Sequence, residues 1–202
     1  SINNRNEGSK EIQNRLYRNN GTGSFSYDST ALPGNCCNTA VIASEDYDED
    51  GDLDLFVGGR SIPLNYGPSP ESYLLQNNGM GKFENVTKTI APAFQNLGMV
   101  TGAAWVNLTG NSKRELVITG EWMSTQIFSF ENGRFVRTKS NLDSLSGWWQ
   151  SLASADLDGD GDNDLIIGNI GENFYLNPVP AAPAKLWIND FDKNSGSIEK
   201  IL

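Results

Sequence analysis

Five aspartates alternate with other residues along Asp46-Tyr47-Asp48-Glu49-Asp50-Gly51-Asp52-Leu53-Asp54, and the apolar run Leu55-Phe56-Val57-Gly58-Gly59 follows at once. Carboxylates crowded this closely repel one another strongly unless a cation neutralises them. A hard divalent ion with about six to eight oxygen ligands is the natural partner, and calcium fits better than magnesium, which keeps several waters. Gly51, sixth in the stretch, permits the sharp turn that brings the alternate side chains onto one centre. The pattern returns at Asp156-Leu157-Asp158-Gly159-Asp160-Gly161-Asp162-Asn163-Asp164, ahead of Leu165-Ile166-Ile167-Gly168. One acidic stretch could be a solvated turn, but two copies in one register point to metal. The side chains of Asp46, Asp48, Asp50 and Asp54, and of Asp156, Asp158, Asp160 and Asp164, are the expected ligands. Asp52 and Asp162 are expected to add their main-chain carbonyls. An EF-hand does not fit, because it needs a Glu at its twelfth position and a helix on each side. Val57 and Ile167 stand there instead, inside apolar runs that read as strands.

The elements that must carry these loops are strands. Leu16 to Phe25 reads as strand, Asn-Gly turn and strand, and the same unit recurs from Leu74 to Phe83 and, shortened, from Ile127 through Asn132-Gly133 to Phe135. Asn-Gly supplies the positive φ angles of a tight hairpin turn. Hairpins and acidic loops alternate with a period of roughly 50 to 60 residues, which indicates a propeller or solenoid. Between the two acidic loops lies a faded copy, with Asn107, Thr109, Asn111 and finally Glu115 at the ligand positions. Ser112 replaces its glycine, and Lys113 and Arg114 bring positive charge to where a cation would sit, so this copy is expected to be metal-free. Short strands, frequent Gly and Asn, and no sustained helical periodicity indicate an all-β chain.

Composition narrows the function. The chain has 202 residues, enough for a sizeable core in one domain, and no apolar run long enough for a membrane-spanning helix. A net charge of -10 argues against nucleic acid, whose phosphates need a basic face. There is no histidine, which removes Ser-His-Asp and Cys-His catalysis and most zinc sites. Cys36 and Cys37 are adjacent, with neither zinc-like nor redox-like spacing. Buried thiols, a vicinal disulfide and pairing with cysteines of a longer chain all remain open; buried thiols are the expectation.

The D-x-D-x-D-G-x-x-D-L run before a strand ending in glycine resembles the calcium loop of FG-GAP (VCBS-type) repeats, the blades of integrin-alpha-like β-propellers. L-F-V-G-G-R, G-M-V-T-G-A-A-W, G-E-W-M and G-W-W-Q-S-L further resemble bacterial secreted or surface proteins related to the cartilage-acidic-protein group. The resemblance runs from about Asn14 to Phe191. It implies calcium-binding strand-loop-strand blades and an extracellular or cell-surface location, where open loops suit millimolar calcium. Against the family spacing, Asp190, Asp192 and Asn194 begin another loop whose glycine and final acid fall one residue late, making them weaker candidate ligands. Residues 1–202 are expected to form one segment of three to four blades, an incomplete propeller completed by a longer chain or a second copy.

A shared register should bring Arg60, Glu121 and Trp122 out at one end of successive blades, near Trp148 and Trp149 of Gly147-Trp148-Trp149-Gln150. Loops at one end of a rigid scaffold commonly bind partners, and aromatic faces stack on sugar rings. Packing between blades is the competing role for these tryptophans. The function expected is therefore a calcium-stabilised binding or adhesion scaffold for a protein or glycan, without catalysis. A propeller-type polysaccharide lyase or glycosidase, and a pure spacer, are the alternatives. A glycosidase needs two opposed carboxylates, and most aspartates here look committed to metal.

Overall fold

The computed structural model describes residues 8–111, 113–171, 185–189 and 199–201, with backbone alone at 187–189 and 199–201. It is built of antiparallel strands. β1 (Leu16–Asn19) and β2 (Phe25–Asp28) form a hairpin; β3 (Asn38–Glu45), β4 (Asp54–Ser61), β5 (Tyr73–Asn77) and β6 (Phe83–Asn85) form a four-stranded meander. β7 (Met99–Val106), β8 (Glu115–Ser124), β9 (Gln126–Glu131) and β10 (Arg134–Thr138) repeat that meander, and β11 (Ser146–Ala155) and β12 (Asp164–Asn169) begin it again. β13 (Trp187–Asn189) pairs with β14 (Glu199–Ile201). The all-β, propeller-like architecture expected from the strand pattern is what forms. Among the described residues β1 and β2 pair only with each other.

The sheets stack face to face, and the sequence of the second strand in each meander shows why. In β4, Phe56 enters one core while Val57 and Leu55 face another; in β8, Leu116 and Ile118 face back toward the first meander while Val117 faces forward. Strands buried on both faces read as continuous apolar runs rather than alternating ones. The largest core lies between the two complete meanders. It is closed by Phe94, on a 3-10 turn (Pro92–Asn96) that follows the single-turn helix α1 (Thr87–Ile90). Phe94 is fully buried and meets Phe56, Phe128 and Phe135 with ring centroids 5.3, 5.1 and 5.3 Å away. One residue thus joins two sheets.

Each pairing of first and second strand carries an irregularity at the same place. The register skips Ala40 against Gly58-Gly59, Thr101 against Thr119-Gly120, and Gln150 against Gly168-Asn169. An extra residue of this kind bends the strand and re-aims its neighbours. Two glycines follow from crowding: a Cβ on Gly59 would lie 2.2 Å from the Glu71 carbonyl oxygen, and one on Gly120 would lie 2.2 Å from that of Met99.

Two expectations are corrected. The first two Asn-Gly hairpins are not tight two-residue turns. Five residues separate the paired strand ends, positive φ falls on Gly21 and Gly23 and on Gly79 and Gly81, and the Asn20 and Asn78 side chains accept loop amides. The tight form occurs at Asn132-Gly133, with φ 50° and 78°. The cysteines are not free thiols either: Cys36 and Cys37 are disulfide-bonded to each other. A bend in the chain there places both sulfurs on one side, whereas an extended strand would point them to opposite faces. The bridge closes almost no loop, so it constrains the unfolded chain little.

Truncating the residue that joins the sheets, Phe94→Ala, should cost about 3–5 kcal/mol in urea unfolding; a loss under about 1 kcal/mol would show that the sheets do not depend on it. Thiol alkylation of the unfolded, unreduced protein should add no label, and alkylation after reduction should add two, read by intact mass against the two cysteines present. Labelling without reductant would contradict the disulfide.

Candidate functional site

The acidic loops join the first strand of a meander to the second: residues 46–53 connect β3 to β4 and residues 156–163 connect β11 to β12. Their internal hydrogen bonds are alike, though the first aspartate takes the fifth and sixth amides in one loop and the fourth and sixth in the other. Asp46 accepts the amides of Asp50 and Gly51 at 3.0 Å, and Asp156 accepts those of Gly159 and Gly161 at 2.8 and 3.1 Å. Asp50 accepts the Asp52 amide and Asp160 the Asp162 amide, at 3.1 and 2.9 Å. Backbone φ is positive at the fourth and sixth positions, at Glu49 and Gly51 (62° and 96°) and at Gly159 and Gly161 (80° and 99°). Each loop is therefore folded by its own carboxylates accepting its own amides.

This folding brings carboxylate oxygens of Asp46, Asp48 and Asp50 within 4.8 Å of one another, and likewise those of Asp156, Asp158 and Asp160. The remaining acids are placed differently. Asp52 accepts the Gly79 amide in the neighbouring hairpin. Asp54 is wholly buried, with one oxygen accepting the Asn77 amide at 2.8 Å. Asp164 accepts the Leu157 amide at 3.0 Å, and Asp162 points toward Gly110. Asp190, Asp192 and Asn194 lie outside the described residues.

Burial is what distinguishes the first loop. One oxygen each of Asp48, Asp52 and Asp54 is buried with no hydrogen-bond partner. An ionised oxygen in that state is costly unless a cation meets it. Burial pushes Asp54 up to about 7, the charges of Asp48, Asp52 and Asp50 add to the rise, and the Asn77 amide opposes it. Asp52 is raised too, by burial and then by Asp50. These orphaned oxygens, all hard donors, fit a hard divalent ion, with Asp46, Asp48, Asp50 and Asp54 the residues that would hold it. Gln76, which donates to Asp48 at 2.7 Å, and Asn77 steady the loop from β5. Neither stands out in the sequence, because a lone amide in a strand carries no motif.

The faded loop keeps the fold of the others without their charge. Gly110 has φ 68° at the fourth position, the Lys113 amide donates to Asn111 at 2.7 Å, and Glu115 accepts the Leu108 amide at 3.0 Å as Asp164 accepts that of Leu157. Its basic residues do not fill the loop's own centre. They reach back to the preceding acidic loop and the strand that enters it, Lys113 to Glu49 at 3.9 Å and Arg114 to Glu45, the last residue of β3, at 2.9 Å. Both pairs are largely exposed and contribute little to stability.

A second cluster forms at the far end of the strands. Arg60 Nη2 and Gln150 Nε2 donate to one oxygen of Glu121 at 2.7 and 3.2 Å, and the Tyr66 hydroxyl donates to the other at 2.7 Å. Trp122 Nε1 donates to Tyr66 Oη at 2.9 Å, and the rings of Trp122 and Trp148 lie 4.9 Å apart at 35°. Glu121 is only 3% exposed. Burial alone would raise its pKa, but hydrogen bonds from Tyr66, Gln150, Arg60 and Trp148 outweigh it and hold the carboxyl below the usual range. Burial pushes Tyr66 up to about 12. Four of the five residues expected at this end thus meet; Trp149 does not. Its ring packs over Gly147, where a Cβ would sit 2.6 Å from it. Tyr66 and Gln150 were not legible: one lies in a motif-free loop, and the other is aimed by the strand irregularity.

A family model described as an FG-GAP-like repeat matches residues 3–57 and again residues 107–167. The chain belongs to the FG-GAP-like repeat family. The first match covers the β1–β2 hairpin and the β3–β4 acidic loop, and the second runs from the faded loop through the loop between β11 and β12. FG-GAP repeats of this kind generally build non-catalytic binding or scaffold domains, commonly bind calcium, and are typical of extracellular or surface proteins. A comparison with curated proteins finds no match. No helix of the described residues is long and apolar enough to cross a membrane.

Removing the Glu121 carboxylate leaves the donors of Tyr66, Gln150, Arg60 and Trp148 without their acceptor, and Glu121→Ala should cost about 2 kcal/mol. Because the folded pKa is lowered, this stabilisation is complete above the unfolded value, near 4.3, and is lost as pH falls through the lower folded value. Wild type should therefore lose more stability than Glu121→Ala on acidification below about pH 4, measured by urea unfolding. Parallel curves would sink the assignment.

Proposed function

We propose that this FG-GAP repeat chain is a calcium-stabilised extracellular scaffold that binds a protein or glycan and catalyses no reaction. The observation that carries the calcium reading is the trio of buried, unpartnered oxygens on Asp48, Asp52 and Asp54 beside the converged Asp46, Asp48 and Asp50. Both oxygens of Asp46 and one of Asp50 accept loop amides, and Gln76 and Asn77 take the second oxygens of Asp48 and Asp54, which leaves this buried trio for a cation. When bound, calcium would supply charge neutralisation and no chemistry. The second loop offers the same fold with exposed carboxylates, which suits weaker binding. The Cys36–Cys37 disulfide supports an oxidising compartment, since disulfides persist outside the cytosol. Glu121, ionised and hydrogen-bonded through both oxygens, is suited to anchoring its neighbours rather than to donating a proton.

Calcium at about tenfold over its dissociation constant should add about 1.4 kcal/mol per site, or roughly 3–6 °C in Tm for a chain of this size. Asp46→Ala should remove most of that gain, and Asn107→Ala should leave it intact. Scanning calorimetry with calcium, with magnesium and with chelator provides the test. A Tm indifferent to calcium, or equal sensitivity at the two positions, would overturn the reading.

A further inference from the structure

We propose that Trp122, Trp148 and Arg60 form a recognition site for an uncharged pyranose sugar at the end of the strands opposite the acidic loops. This deepens the scaffold reading above and rests on it for the rigid blades.

The backbone at Trp122 carries the argument. β11 crosses the boundary between meanders to pair with the end of β8, Gly147 opposite Met123 and Trp148 opposite Glu121, so Trp122 is the residue left over between them. It is a bulge, and its φ is 61°. A non-glycine residue in this left-handed conformation costs roughly 1–2 kcal/mol, and glycine would adopt it freely. Bulges and backbone strain of this kind gather where a side chain is being aimed for use. Here the chain holds a large aromatic out of the ladder and beside Trp148, both half-buried. The indole nitrogen of Trp122 is already bonded to Tyr66, which fixes its ring plane.

Charge selects the ligand. Glu121 uses both oxygens internally and is nearly sealed, so it offers a ligand nothing directly. Its charge balances that of Arg60, whose side chain is 49% exposed and is bonded to Glu121 through Nη2. The half-buried aromatic pair and the half-exposed Arg60 guanidinium, balanced by Glu121, carry no net charge, on a chain whose overall charge is -10. A pyranose presents apolar C–H faces for stacking on indole and equatorial hydroxyls that accept from a planar donor. An acidic glycan would gain no uncompensated cation here and would meet the general negative field. A nucleic acid is disfavoured on the same ground.

The test is titration of the calcium-loaded chain, by calorimetry and tryptophan fluorescence, with gluco-, manno-, galacto- and N-acetylglucosamine trisaccharides and with a uronic acid trisaccharide. Binding of at least one neutral sugar at millimolar concentration is expected, insensitive to salt. Trp148→Ala and Trp122→Gly should each weaken it about tenfold, since an aromatic contact of this size contributes about that factor. Trp122→Gly also relieves the backbone, so it should keep the wild-type calcium response in melting. If a tryptophan variant fails to fold, Arg60→Lys keeps the charge and loses the planar fork, and should weaken the same sugar. No sugar bound, the uronate alone bound, or affinity unchanged in Trp148→Ala, Trp122→Gly and Arg60→Lys would each overturn the site. A calcium-stabilised chain that binds no sugar would refute this inference and leave the scaffold reading standing. A calcium-indifferent chain that binds sugar would do the reverse.

Discussion

Neighbouring sheets in this chain are held by strands that bury both faces, and everything else is arranged around that constraint. Phe56 and Val57 sit side by side in β4 and belong to different cores, as do Leu116 and Val117 in β8. A strand sandwiched this way has no face left for function. Chemistry can then appear only where strands end, and the two polar clusters lie at opposite ends of the same strands. Asp54 opens β4 and Arg60 nearly closes it; Glu115 opens β8 and Glu121 stands near its other end.

The fold was legible because its signals repeat. Asp46 to Asp54 and Asp156 to Asp164 share a register, and two copies fixed strand, loop and strand at both places. The convergence of acids in the two loops was legible for the same reason: a carboxylate at alternate positions has few physical explanations. Cys36 and Cys37 were not, because their pairing depends on a local bend that no neighbouring residue announces. The hairpins were misjudged for a related reason. Asn20 and Asn78 act through their side chains in longer loops, whereas Asn132 acts through its own backbone, and the dipeptide Asn-Gly looks identical in all three.

The end cluster was half legible. Register arithmetic placed Arg60, Glu121 and Trp122 together, since each lies a fixed distance beyond its loop. It could not choose between Trp148 and Trp149, because that choice turns on irregularities in strand pairing. The skip at Gln150 turns its side chain to Glu121, and the skip at Trp122 lifts that ring toward Trp148. Tyr66 reaches the cluster from a loop with no pattern at all.

The second residue of the first acidic loop and that of the faded loop are neither expected ligands nor strand residues, yet both are packed, whereas their counterpart Leu157 is exposed. Tyr47 packs its ring 4.9 Å from Phe130 and 5.2 Å from Phe135 in the next meander, and Leu108 packs against the core of Val106, Val117 and Ile127. Tyr47 stands between Asp46 and Asp48, so the loop cannot change shape without moving that ring. The joint between blades is thus hinged on the same nine residues that gather the carboxylates. Any change of shape that follows from neutralising this loop's charge would therefore be felt in the packing between the two meanders.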